Sequence, residues 1–221
     1  MLYHIYYVSL FVTFSFCLYS YRSLDPNFKW LLPFFGFCIA FETANELGWL
    51  IINHTNSWSS NFEEIMECVL FTYFMASLSS IQSYRKKVYF FAAAVVLLSM
   101  ADMLFIQGIW KLNTIAIVLQ ALFILTLISI YYYRLLDKAE EGLELIKHPP
   151  FLVVTGLLFY FLGKSFYYTC FSYMAYKNNY HFYLLAATLP GLANLMLNFL
   201  LIYAFLCFKK QRKSQYNHIN N

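Results

Sequence analysis

Seven long apolar runs, near residues 2–21, 30–52, 62–83, 88–108, 113–133, 151–174 and 180–208, constrain this chain more than any other feature. A helix that crosses a bilayer takes about 20 apolar residues. A chain of 221 residues therefore holds about seven such helices joined by short links, with little left for a soluble domain. Only 12% of the residues are charged, against roughly 25% in an ordinary soluble domain. The predicted fold class is all-α: a polytopic membrane protein with a single bundle of seven transmembrane helices over 1–208 and a basic cytosolic tail over 209–221. The first run lacks a basic leader and a small-residue cleavage signal, so it is expected to be a retained helix and not a removed signal peptide.

Charge sets the expected orientation. The first link carries Arg22 and Lys29, the third Arg85, Lys86 and Lys87, and the tail Lys209, Lys210, Arg212 and Lys213, while the alternate links carry fewer. Because Lys and Arg near helix ends are retained on the cytosolic side, these links and the tail are expected inside. The N-terminus is then outside and the C-terminus in the cytosol. The fifth link mixes Asp137, Glu140, Glu141 and Glu144 with Lys138 and Lys147, while Leu135, Leu136, Ala139, Leu143 and Ile146 recur at helical spacing. It predicts a cytosolic amphipathic helix extension over about 134–150, which Pro149-Pro150 ends. Such a helix either lies on the membrane surface or offers a docking face to a cytosolic or membrane partner.

Against this apolar background the polar residues inside the runs stand out. An ionisable side chain in the hydrocarbon core costs about 2.5–3.5 kcal/mol on insertion scales, so such residues face the bundle interior and mark candidate sites. Glu42, Asn45 and Glu46 share one face of the second helix, and Glu63 and Glu67 one face of the third. Asp102 lies in the fourth, Gln120 in the fifth, Lys164 in the sixth, and Asn194 and Asn198 in the seventh. With the expected topology Glu46, Glu67, Asp102 and Gln120 fall in the outer half, and Glu42, Lys164 and Asn194 near the middle. The candidate ligand or proton site is therefore Glu42, Asn45, Glu46, Glu67, Asp102, Gln120, Lys164, Asn194 and Asn198, with Lys164 the lone cation among several carboxylates. The competing expectation is that Lys164 pairs with Glu42 or Asp102 and that the Asn and Gln side chains join helices, glue worth about 0.6 kcal/mol per hydrogen bond. Glu63 and Glu64 read as residues of a helix start, where carboxylates suit the dipole.

Several chemistries are disfavoured. His4, His54, His148, His181 and His218 form no i, i+4 pair, so no zinc hydrolase motif is present and no metal is expected. The cysteines Cys17, Cys38, Cys68, Cys170 and Cys207 lie singly in apolar runs, without the spacing of a zinc or redox motif. Gly163-Lys164-Ser165 lacks the flanking glycine and the histidine of an intramembrane serine protease. A retinal protein of the microbial type carries its lysine in the last helix, not the sixth. Phosphate-cradling loops and nucleic-acid motifs are absent. The chain is expected to be no enzyme, with no catalytic residue, no cofactor and no nucleic-acid partner.

The stretch His148-Pro149-Pro150-Phe151, leading into Gly156-Leu157-Leu158-Phe159-Tyr160-Phe161-Leu162-Gly163, together with the hydropathy of nearly the whole chain, resembles a group of small uncharacterised seven-helix integral membrane proteins common in Bacteroidota. The resemblance implies a stand-alone membrane protein, compatible with work beside a separate signalling protein. It also implies a polar uncharged residue after Gly163, where this chain has Lys164, and it transfers no catalytic residue.

Three functions follow as expectations. The first is a receptor- or sensor-like protein with an outward-facing intramembrane polar pocket for a small ligand or protons, signalling to a cytosolic partner. The second is a small proton- or cation-coupled transporter or channel, although helices one to three and five to seven show no matching repeat. The third is a structural membrane subunit. All place the chain in the cell membrane, the inner membrane of a Gram-negative cell, as a multi-pass protein in contact with the lipid bilayer.

Overall fold

A computed structural model describes residues 2–137, 144–177 and 180–219, with side chains over 4–137, 144–171 and 188–213. Among the described residues the fold is all-helical, with seven α-helices: α1 Leu2–Ser20, α2 Leu31–Glu46, α3 Ser57–Ser77, α4 Arg85–Ala101, α5 Thr114–Asp137, α6 Pro149–Lys177 and α7 Tyr180–Ile219. Four segments are long and apolar enough to cross a membrane: Gln82–Ile106, Thr114–Asp137, Pro149–Phe171 and Thr188–Lys213. Their outward faces carry large apolar side chains such as Phe90, Leu97, Phe105, Leu122 and Phe199, all exposed. In water such surface would be a liability, whereas in lipid it is the normal exterior of a span.

Local chemistry explains where the other helices depart from that length. The second apolar run reaches 52, yet α2 stops after 16 residues. Gly48 takes φ +74°, a left-handed conformation that suits glycine. The Trp49 N–H then reaches the Ala44 carbonyl at 2.9 Å and the Gly48 N–H the Asn45 carbonyl at 3.0 Å, a Schellman termination. At 1.5 Å per residue, α2 is about 24 Å long, short of the roughly 30 Å hydrocarbon core. The chain reverses through Asn53 and His54, both at positive φ, and Ile52 and Thr55 pair backbone to backbone across this tight turn. The third run is predicted from 62, but α3 already begins at Ser57. Glu63 and Glu64 consequently stand nearly two turns inside the helix and not at its start.

Two helix boundaries near the basic links differ from those read in the sequence. α5 stays helical to Asp137, residues 138–143 lie outside the described residues, and Leu145–Lys147 form a 3₁₀ turn where the predicted extension over 134–150 would be α-helical. His148 is extended (φ −93°, ψ 103°), as the residue before a proline prefers. α7 also runs unbroken into the basic segment that begins at 209, as far as Ile219.

Packing follows the chain order only in part. α7 lies between α1 and α6, α6 next to α5, and α2 against α1, while α3 packs against α4 and α5. The closest approach is α6 on α7. A Cβ on Gly163 would stand 2.9 Å from the Ala193 Cβ, and one on Gly156 would stand 2.9 Å from the Leu197 side chain. These glycines are two helical turns apart, and they let the backbones touch as small residues do in membrane bundles. α3 is lined with buried residues from Ser59 to Ala76. Its C-terminal half meets an aromatic layer of Phe28, Trp30, Phe34, Phe161 and Phe208 around Phe71 and Phe74.

Candidate functional site

Above that aromatic layer the packing opens. A half-open chamber of about 170 Å³ is lined by Tyr6 of α1, Glu42 of α2, Glu63, Glu64 and Glu67 of α3, Tyr160, Lys164 and Tyr168 of α6, and Pro190 and Asn194 of α7. Helical periodicity explains the convergence. Glu67 follows Glu63 and Glu64 by one turn of α3, and Tyr160, Lys164 and Tyr168 are successive turns of α6, so each helix offers a single polar stripe. The chamber sits toward the end of the bundle that holds the N-termini of α1, α3 and α7 and the C-termini of α2 and α6.

Lys164 organises the chamber. It is 5% exposed, and its ammonium bridges Glu64 at 2.5 Å and Glu67. It donates as well to the Tyr160 hydroxyl at 3.1 Å, and it lies 5.1 Å from the Tyr160 ring centre and 5.8 Å from that of Phe161. A buried ammonium needs this degree of satisfaction: two carboxylates for its charge, a hydroxyl for its third proton and ring faces for its remaining surface. Among the described lining residues four carboxyl groups surround one ammonium. The chamber therefore carries an excess of acidic groups that protons or a bound cation would balance.

The structure brings together Glu42, Glu67, Lys164 and Asn194 of the residues singled out in the sequence. It sends the others elsewhere. Asn45 accepts a 2.8 Å hydrogen bond from Asn56 and so ties the end of α2 to the start of α3, while Glu46 is exposed. Asn198 donates to Ser9 at 2.8 Å and joins α7 to α1. Gln120 donates to Ser99 at 2.9 Å and joins α5 to α4. Asp102 is buried at the head of a π-helical turn, Asp102–Ile106. Both of its carboxylate oxygens are buried without a hydrogen-bond partner among the described residues, near the first turn of α5, where a carboxylate suits the positive end of the dipole. Asp102 thus lies away from Lys164, and the expected Lys164 partners, Glu42 or Asp102, are replaced in the ion pair by Glu64 and Glu67.

Sequence reasoning passes over Glu63, Glu64, Tyr6, Tyr160 and Tyr168. The tyrosines give no signal, being a few of 20 spread along the chain. For the glutamates a signal exists: Ser57 to Asn61 is a stretch of mostly helix-starting polar residues, and moving the start of α3 back to it carries Glu64 inside. Among the described residues no three His, Cys, Asp or Glu side chains are grouped to hold a metal ion. No family model, curated protein or solved structure matches the chain.

Proposed function

We propose that the chain crosses the membrane seven times, N-terminus outside and C-terminus in the cytosol, and acts as a receptor- or sensor-like protein. Its outward chamber takes protons or a small cationic ligand, and the change passes along α6 and α7 to a cytosolic partner. The observation that carries this reading is the ion-paired Lys164 held among Glu42, Glu63, Glu64 and Glu67 in one half-open chamber. Size narrows the ligand. At about 30 Å³ per water, the chamber holds on the order of five or six waters, below the roughly 300 Å³ or more of sites for drug-sized ligands.

The aromatic layer favours sensing over transport. Phe71 stacks edge-on against Phe161 at 5.6 Å and against Phe34 at 5.2 Å, and Phe28 against Phe74 at 5.2 Å and Phe208 at 4.7 Å. A dry seal of this kind closes the route from the chamber to the other end of the bundle, and a transporter or channel would have to open it. α6 and α7 touch backbone to backbone at Gly163 and Gly156, so a displacement of Lys164 is handed to α7, which extends into the basic end.

The test is a titration of the full chain in nanodiscs from acidic to mildly alkaline pH and with sodium, potassium, ammonium and methylammonium, read by tryptophan fluorescence and hydrogen exchange in α3 and α6. The expected result is a saturable change that Lys164→Met shifts or abolishes. No response to any of these probes refutes the sensor, and ion flux into vesicles abolished by Glu42→Gln would install the transporter in its place.

A further inference from the structure

At the opposite end of the bundle, a cleft of about 440 Å³ lies between the α1–α2 link and the last described turns of α7. Leu24 and Phe208 lie at its base, both buried, with Phe208 resting on Phe28 at 4.7 Å between ring centres, so the surface that faces the cleft is mostly polar. Its rim is charged, with Lys29 and Arg212 lining it together with Asp25 and Ser23. Among the described residues neither Lys29 nor Arg212 forms an ion pair, and Lys29 lies 5.6 Å from the Tyr21 ring centre. The link wall is built, not loose. Two 3₁₀ turns, Tyr21–Ser23 and Pro26–Phe28, fold it, and Asn27 ties it to the Ser77 carbonyl of α3 at 3.2 Å.

Position decides what such a cleft meets. The apolar run of α7 gives way after Phe208 to Lys209, Lys210, Arg212 and Lys213, and α2 begins at Leu31, so the cleft falls where apolar helix meets charged chain, the depth of the headgroups when these helices span a bilayer. A mostly polar cleft with a cationic rim at that depth matches the headgroup of a phospholipid, its phosphate at the rim, and basic pockets between spanning helices are known to take such headgroups. Asp25 narrows the choice. A phosphate monoester would place two negative charges beside its carboxylate, whereas a phosphodiester brings one charge to Lys29 and Arg212 and lets a headgroup hydroxyl donate to Asp25.

We propose that this cleft is a binding site for an anionic phospholipid whose phosphodiester is held by Lys29 and Arg212 and whose hydroxyl-bearing headgroup, as in phosphatidylglycerol, reaches Asp25. The site is separate from the Lys164 chamber and stands whether or not that chamber senses anything.

Native mass spectrometry of the full chain, released from micelles containing equal phosphatidylglycerol, phosphatidylethanolamine and phosphatidylcholine, tests it. Phosphatidylglycerol should be retained preferentially. Lys29→Gln with Arg212→Gln should weaken that retention about thirtyfold, two basic groups each contributing at the membrane surface, while Lys213→Gln changes it little. Equal retention of the three lipids overturns the proposal, as does undiminished phosphatidylglycerol retention by a double variant whose helix content is native. Capture of inorganic phosphate by lipid-free protein, lost in the same double variant, overturns it too, because the cleft would then serve a free anion.

Discussion

Replacing Lys164 by Met takes one charge out of the chamber and leaves two carboxylates behind. Their side chains are 12% and 13% exposed and that of Lys164 is 7% exposed, so the pair is buried and solvent screening is weak. Removing one partner of a buried pair costs about 3–5 kcal/mol, because the other charge stays desolvated and uncompensated. For a chain of this size about 2–4 °C of melting temperature accompanies each kcal/mol, so the expected loss is about 6–20 °C. Unfolding in detergent micelles, followed by the fluorescence of the four tryptophans, measures it. Adding Glu64→Gln and Glu67→Gln to Lys164→Met removes all three charges and should recover most of the loss, since exchanging a buried pair for neutral groups is often close to neutral. A Lys164→Met protein that melts within about 2 °C of the native one, a difference under about 1 kcal/mol, would refute the reasoning. It would mean that water screens the two carboxylates well enough to do without the ammonium.

The α6–α7 contact and the α6 start give two further tests. Gly163→Ala should lower stability by about 1–3 kcal/mol because its new methyl meets the Ala193 Cβ, which cannot turn aside; Gly156→Ala should cost less, since the nearest atom there is the mobile Leu197 Cδ1, and equal melting temperatures for the two variants would count against a rigid seam. His148, just ahead of α6, keeps its Nδ1 buried without a hydrogen-bond partner among the described residues, and burial lowers its pKa. Below about pH 6.5 the unfolded chain takes up a proton that the folded chain resists. Stability should therefore fall as pH drops below about 6.5 and be unaffected above it, and His148→Gln should flatten that part of the profile.

Much of the architecture is written locally. Seven apolar runs underlie the seven α-helices, and in the four segments long and apolar enough to cross a membrane the helix is what hydrocarbon demands, since a backbone without water must bond within itself. Pro149-Pro150 opens α6 and Gly48 closes α2, each through conformational limits that a residue carries wherever it stands. Lys164 is legible as a buried charge that needs partners. Which carboxylates answer it is not, because that depends on the rotation of α3 and on how far its start at Ser57 precedes the apolar run. Asp102 shows the same gap: its place in a helix is evident from hydropathy, but its burial near the α5 N-terminus arises only when α4 and α5 are packed.

Apolar length, the charge asymmetry between the two ends and the presence of costly polar groups were determined by the amino-acid sequence alone, since each is a property of single segments. Tertiary structure alone decided the partition of those groups into one chamber around Lys164 and several separate interhelical bonds at Asn45, Asn198 and Gln120. The reason is geometric: hydropathy says that a side chain leaves the lipid, but only the azimuth and depth of its helix say which neighbour it meets.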